Sequence, residues 1–401
     1  MRVFALGAST LVGYPNPKGT DFPRFLELML ADVFPARRFE IINCGITAVN
    51  SHCLLDFSRE VVEHYDPDLL VVYAGHNEFI GPYGPTTPFV GFGSTRSLIR
   101  AHMFLQRSRL YHGARELMFA LSSFLGTKPA TFGLHLATEE IDWTQDSYSR
   151  VVANYRANLD AMVTAAAEQG VPVLLSTLVS NLKDFYPLRS ECGGLDSADG
   201  QLLAAEVMDL ARQGQHERAQ ARVLEGLRRS PQCAAVHFEM ARLHHGAGHY
   251  REAKAFYIQA RDLDRVPFRA PTVFNEVVRE IGQRHANAIV SDVEGAFAAA
   301  TPGGITGDEL LTDYLHPTVY GHHLLARTLV EDLANSAVAS TWGPAQPASI
   351  GKFEHYRDRL GYSEVSAALA RNNQILFLRN MPYRTTPVLI RERVSELIEA
   401  Q

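Results

Sequence analysis

A serine follows the first apolar stretch of the chain, in Gly7-Ala8-Ser9-Thr10. Far downstream an aspartate and a histidine stand three residues apart, in Asp313-Tyr314-Leu315-His316-Pro317. A serine hydroxyl becomes a good nucleophile when an imidazole takes its proton and a carboxylate fixes that imidazole's tautomer. Asp and His at this spacing, in a turn stiffened by proline, lie close in space. The plainer alternatives are a helix-capping Ser9, a capping Asp313 and a surface His316. Two further segments offer hydrogen-bond donors. Gly45 ends Asn43-Cys44-Gly45, where a missing side chain lets the backbone N–H approach a ligand. Asn77, in Gly75-His76-Asn77-Glu78, carries a neutral amide suited to a developing oxyanion. Each alone is equally a turn former.

These residues need a frame that brings distant segments to one edge. Five short apolar segments read as buried strands: Arg2–Gly7, Glu40–Gly45, Leu69–Gly75, Val171–Thr177 and Ala288–Val293. Continuous apolar runs suit strands covered on both faces, as in a parallel sheet. Helical patterns at Phe22–Val33, Leu54–Tyr65, Tyr148–Gln169 and Phe274–His285 lie between them. The alternation predicts a doubly wound α/β fold, whose ligands bind at the carboxyl ends of the strands. The candidate residues all follow strands or open helices.

Two insertions break the alternation. The first, about 79–142, opens on a Gly/Pro/aromatic loop and continues as helix near Leu98–Leu125. From Phe79 to Arg115 it holds Arg96, Arg100, Arg107, Arg109 and Arg115 and no acid. It reads as a solvated helical face or as a lid attracting an anionic or carrier-bound substrate. The second insertion repeats itself: Gly214-Gln215-His216-Glu217-Arg218-Ala219 returns as Gly248-His249-Tyr250-Arg251-Glu252-Ala253. A spacing of 34 residues is the period of tetratricopeptide (TPR) repeats. Two units bury little core and must lean on the main domain. They form a hairpin shaping the cleft or a docking surface for a protein partner. After a Pro/Gly/Ala linker at Thr341–Ala348 the chain ends in amphipathic stretches such as 388–400, a C-terminal appendage.

The blocks around Ser9, Gly45, Asn77 and Asp313/His316 resemble, in order and position, those of the SGNH (GDSL-like) hydrolase superfamily. The segment Asp313–Ala326 is an especially good match, and the likeness spans about 1–190 and 265–335. Gly81–Pro85, Asn181–Asp184 and Phe268–Pro271 resemble segments of a bacterial subgroup whose core carries TPR-like units. The resemblance implies a flavodoxin-like three-layer α/β/α fold with a five-stranded parallel sheet and a helical insertion. It divides the chain into a first core part (1–198), the TPR-like insertion (199–266), a second core part (267–338) and the appendage (339–401). It implies Ser9 as nucleophile, His316 as general base then acid and Asp313 as its orienting partner. The Ser9 N–H, Gly45 and Asn77 would form the oxyanion hole. The expected reaction is cleavage of a carboxylic ester or thioester through an acyl-serine. Acyl transfer to another acceptor and an inactive binding module are the alternatives. Two positions depart from the pattern: Ala8 stands before the serine and Glu78 after the asparagine, where aspartate is usual.

Arg269, Asn181 and Lys183 also fall near the expected ligand edge and are candidates for substrate binding, with structural roles as the alternative. No Cys/His cluster suggests a metal, and the proposed chemistry needs no cofactor. The 401 residues are 46% hydrophobic and 20% charged with net charge −6, a globular composition with no global signal for nucleic acid or an anionic membrane. No apolar run is long enough to span a bilayer, and the N-terminus does not read as a signal peptide. Cys44, Cys53, Cys192 and Cys233 lack metal spacing and read as free thiols, which favours a cytoplasmic protein.

Overall fold

A computed structural model describes residues 1–86, 95–124, 141, 146–192, 197–380, 394–395 and 397–399. The later part of the opening loop of the first insertion, its chain beyond 124 and most of the 388–400 stretch lie outside the described residues. Strands β1 (Arg2–Gly7), β2 (Glu40–Gly45), β3 (Leu69–Tyr73), β4 (Val173–Ser176) and β5 (Ala288–Ser291) form one sheet in the order β2-β1-β3-β4-β5. All neighbours are parallel. β3 and β4 are buried at every residue, whereas the edge strands β2 and β5 are partly exposed. The apolar runs thus mark the central strands, as burial on both faces requires.

The helices are α1 (Ser9–Val12), α2 (Phe22–Val33), α3 (Ser51–His64), α4 (Arg96–Leu105), α5 (Arg109–Phe124), α6 (Asp146–Glu168), α7 (Ser197–Arg212), α8 (His216–Arg229), α9 (Ala234–Gly246), α10 (Tyr250–Asp262), α11 (Thr272–Arg284), α12 (Val293–Ala299), α13 (Val319–Ala334), α14 (Ala337–Ser340), α15 (Phe353–Arg359) and α16 (Glu364–Asn380). The chain crosses from β1 to β2 in one direction and from β2 through β3 and β4 to β5 in the other. Right-handed crossovers therefore put α2 on one face and α3, α6 and α11 on the other. α13 packs on α2, and α6 packs between α3 and α11, which completes three layers. The fold is the expected α/β class with the flavodoxin-like strand order. β3, β4 and β5 each stop one to two residues before their predicted ends, and Val293 begins α12.

The second insertion folds as two helical hairpins, α7–α8 and α9–α10. The repeated glycines turn both, with left-handed φ of 73° at Gly214 and 78° at Gly248. The repeated Ala219 and Ala253 are fully buried where the helices meet. Leu182, Tyr186 and Ile305 of the α/β body join the same apolar cluster, so the hairpins do lean on the main domain.

The cysteine reading is corrected here. Cys192 and Cys233 form a disulfide, and Cys44 and Cys53 are free. Cys192 precedes α7 and Cys233 caps α9; the hairpin packing brings their Cα atoms to 4.5 Å, a proximity that spacing along the chain does not announce. Disulfides are rare in the reducing cytosol, so the cysteines no longer support a cytoplasmic location. Among the described residues no helix is long and apolar enough to cross a membrane.

Candidate active site

The strand register places the chemistry. Gly7 lies opposite Gly45 on one side and Tyr73 on the other, so β1, β2 and β3 end level. A Cβ at Gly7 would lie 2.5 Å from the Tyr73 carbonyl oxygen, so only glycine allows this close approach. Ser9 leaves β1 at that edge and opens the single turn α1. Gly75, at φ 147°, turns the exit of β3 towards His76 and Asn77; a Cβ there would meet Leu178 at 2.5 Å.

Asp313 and His316 sit on the loop entering α13. Asp313 Oδ1 accepts the backbone N–H groups of Leu315 (3.0 Å) and His316 (2.9 Å), so the carboxylate builds its own turn. Asn16 Nδ2 donates to the Pro317 carbonyl at 2.9 Å and fastens the loop to the segment after α1. Thr318 caps α13 by accepting the Gly321 N–H. His316 Nδ1 lies 2.7 Å from Asp313 Oδ2, and His316 Nε2 lies 2.7 Å from Ser9 Oγ. Only one tautomer suits both contacts: Nδ1–H donates to the carboxylate, leaving the Nε2 lone pair for the serine hydroxyl. Asp313 is fully buried, His316 is 2% exposed and Ser9 9% exposed, so water screens these contacts little.

Two other buried histidines flank this centre. His76 accepts the Ala270 N–H on Nδ1 at 3.1 Å, which ties the exit of β3 to the Phe268–Pro271 segment. Burial first, then the nearby His316 and Arg261, push its pKa down to about 3. His322, stacked on Phe22, is likewise lowered to about 3, by burial and then His316. Both are neutral at ordinary pH. His76 adjoins Asn77 in sequence, but nothing in the sequence signalled its contact with Ala270.

The candidate oxyanion donors are partly revised. Asn77 Nδ2 donates to the Val49 carbonyl at 3.0 Å, which leaves its second N–H available. Gly45, by contrast, gives its N–H to Asn43 Oδ1 at 2.9 Å, and a Cβ on it would meet Leu11 and Val12. Its assignment to the oxyanion hole is corrected: the donor is spent within β2's own terminus. Three residues on, Ala48 holds a left-handed backbone at φ 64°, a conformation glycine favours. Its N–H has no partner among the described residues, and it adjoins the Val49 carbonyl that holds Asn77.

Glu78 is buried, and its carboxylate accepts the Ser51 N–H (2.8 Å) and Ser51 Oγ–H (2.7 Å) at the start of α3. Burial raises its pKa to about 7 against these two hydrogen bonds.

The three substrate-binding candidates are tied into the fold. Arg269 is 2% exposed; its Nη1 donates to the Asn181 and Phe185 carbonyls at 2.8 and 3.1 Å. Its guanidinium pairs with buried Asp264 at 3.7 Å and lies over the Tyr314 ring. Asn181 donates to Asp308 and accepts the Asp184 N–H, and Lys183 pairs with Glu309 at 3.0 Å. All three hold loops of the fold together. Three arginines of the first insertion also make contacts within the fold. Arg96 donates to the Asn158 side-chain carbonyl, and Arg100 and Arg107 share the single carboxylate of Asp56. Among the described residues no cluster of His, Cys, Asp and Glu has the grouping needed to hold a metal ion.

No family model matches the chain, and no curated protein sequence matches it. The chain is similar to several solved structures. The acetylxylan esterase Axe2 of Geobacillus stearothermophilus is 14% identical over 84% of this chain and 94% of its own, with a TM-score of 0.37. LAE5, an α/β hydrolase enzyme from the Lake Arreo metagenome, is 14% identical over 82% and 94%, with a TM-score of 0.37. A GDSL-like lipase of Parabacteroides merdae is 12% identical over 82% and 94%, with a TM-score of 0.36. Likeness at this level carries no information about activity.

Proposed function

We propose that the protein is a serine hydrolase of the SGNH type that cleaves a carboxylic ester or thioester through an acyl-serine intermediate. The observation that carries the reading is the continuous chain of contacts from Ser9 Oγ through His316 to Asp313, each link 2.7 Å. Ser9 Oγ attacks the carbonyl carbon as its proton passes to His316 Nε2. Asp313 holds the imidazole and stabilises the imidazolium. The carbonyl oxygen becomes an oxyanion facing the Ser9 N–H, the free Asn77 amide N–H and the Ala48 N–H. His316 then gives its proton to the leaving alkoxide or thiolate, and the acyl group stays on Ser9. Water, deprotonated by the same imidazole, releases the acid. An acceptor alcohol entering at this last step would make the enzyme an acyltransferase. A decayed site that only binds is disfavoured by a tautomer-consistent, buried relay.

Exposure to a fluorophosphonate probe followed by intact-mass measurement tests this. Wild type takes one adduct, Ser9→Ala none, and His316→Ala reacts far more slowly. Folded wild type that takes no adduct and hydrolyses no ester removes the proposal. Product analysis with and without an alcohol separates hydrolysis from acyl transfer.

A further inference from the structure

The C-terminal appendage reaches the catalytic imidazole. Phe377, on α16, sets its ring edge-on to His316 with centroids 5.8 Å apart and planes at 90°. Tyr14, which follows α1, approaches the same imidazole at 5.3 Å and Phe377 at 5.5 Å. Phe268 lies behind Phe377 at 6.3 Å, close to parallel. The helix is fixed in this position. Asn373 Nδ2 donates to the Pro15 carbonyl at 3.0 Å, Gln374 donates to the Thr312 carbonyl beside Asp313, and Ile375 and Leu378 are buried. α16 is thus docked on both segments that carry the relay, one beside Ser9 and one beside His316.

Ser9 is enclosed. Only 9% of Ser9 is exposed, and a cavity of about 510 Å³ lies in the helical module, lined by Met208, Glu239, Arg242 and His244 rather than by the relay. Cavities between α3 and α4 and between α3 and α6 also exclude Ser9. Aromatic rings held by buried neighbours do not fold away cheaply, so they act as fixed walls. They stand against the imidazole whose Nε2 contacts Ser9 Oγ, the atom that would carry an acyl group.

We propose that Phe377, backed by Phe268 and facing Tyr14, closes the acyl end of the site and restricts the enzyme to esters of short acids such as acetyl and propionyl. This rests on the hydrolase reading. α16 is then a specificity element supplied from outside the α/β body. Phe377 is a wall and takes no part in proton transfer.

The test compares kcat/KM for p-nitrophenyl acetate, butyrate and octanoate in wild type, Phe377→Ala, Phe377→Leu and Val365→Ala, the last an exposed position on the same helix. Fluorophosphonate labelling of Ser9 is measured on each, and melting confirms folding. Wild type favours acetate. The acetate-to-octanoate ratio falls about tenfold or more in Phe377→Ala, the size expected for removing a wall from an apolar pocket. It falls less in Phe377→Leu and stays put in Val365→Ala. If Phe377→Ala does not fold, Phe377→Leu carries the comparison. Labelled, active variants with an unchanged ratio overturn the inference and leave the hydrolase reading standing. A wild type that neither labels nor hydrolyses overturns both.

Discussion

His316 Nε2 stands 2.7 Å from Ser9 Oγ although 307 positions of sequence separate them. The sheet supplies one end of this contact, because β1 ends level with its neighbours and releases Ser9 at their edge. The Asp313 turn supplies the other, since its carboxylate shapes the loop and orients the imidazole together. One carboxylate therefore has a structural and an electrostatic task, and the two can be separated.

Asp313→Asn separates them. The Asn Oδ1 keeps the Leu315 and His316 N–H groups, so the turn persists. Its NH₂ replaces the acceptor facing His316 Nδ1 and favours the opposite tautomer, with the proton on Nε2 and no base for Ser9. Esterase kcat should fall by about 10⁴-fold while the thermal midpoint changes little. A variant that keeps wild-type turnover on p-nitrophenyl acetate would remove Asp313 from the relay.

Asn77→Ala probes the oxyanion donors. Loss of one preorganised donor should lower kcat by about 10²- to 10³-fold with KM little changed. The Val49 carbonyl also loses its partner, which costs about 1 kcal/mol of stability in a urea titration. An effect confined to KM would assign Asn77 to ground-state binding instead.

Glu78→Gln tests a pH dependence. The folded state holds this carboxyl's pKa at about 7, above its ordinary 4.5, chiefly through burial. Between those values the folded protein binds the proton more tightly than the unfolded chain. The stabilisation from the neutral carboxyl is complete below about 4.5 and is lost as pH rises through about 7. Glutamine stays neutral throughout and still offers an acceptor to the Ser51 N–H. The midpoint of Glu78→Gln should therefore gain on wild type from pH 5 to pH 8 in parallel melts. A gap that narrows with pH contradicts the assignment.

Much of the frame was legible because strands and helices differ in their apolar periodicity: β1, β2 and α2 fall on their predicted residues. Asp313 and His316 were legible because three residues of spacing is a local fact. Side-chain direction was not legible. Position after β4 selected Asn181 and Lys183, and position before a core helix selected Arg269, but pattern does not say that these side chains turn to carbonyls and acids of the fold. Gly45 was chosen by residue type, which does not say that its N–H is taken by the Asn43 side chain. Phe377 touches His316 from an appendage whose docking depends on tertiary contacts that no local pattern encodes.

The Cys192–Cys233 pairing has the same origin and yields the last test. The bond closes a loop of 41 residues across the start of the helical module. Cross-linking a loop of this size restricts the unfolded chain and stabilises by about 3–4 kcal/mol in the chain-entropy account. Both cysteines sit inside the module's apolar cluster, so paired replacement by alanine removes the link without burying a polar group. Non-reducing peptide mapping should recover the 192–233 linkage, while alkylation marks Cys44 and Cys53 in the denatured, unreduced protein. The double variant should lose stability in the module's unfolding step, with Ser9 still reacting with a fluorophosphonate in the native protein. Equal melting of wild type and the double variant, with all four thiols alkylated in unreduced wild type, would restore the free-thiol reading and with it the argument for a reducing compartment.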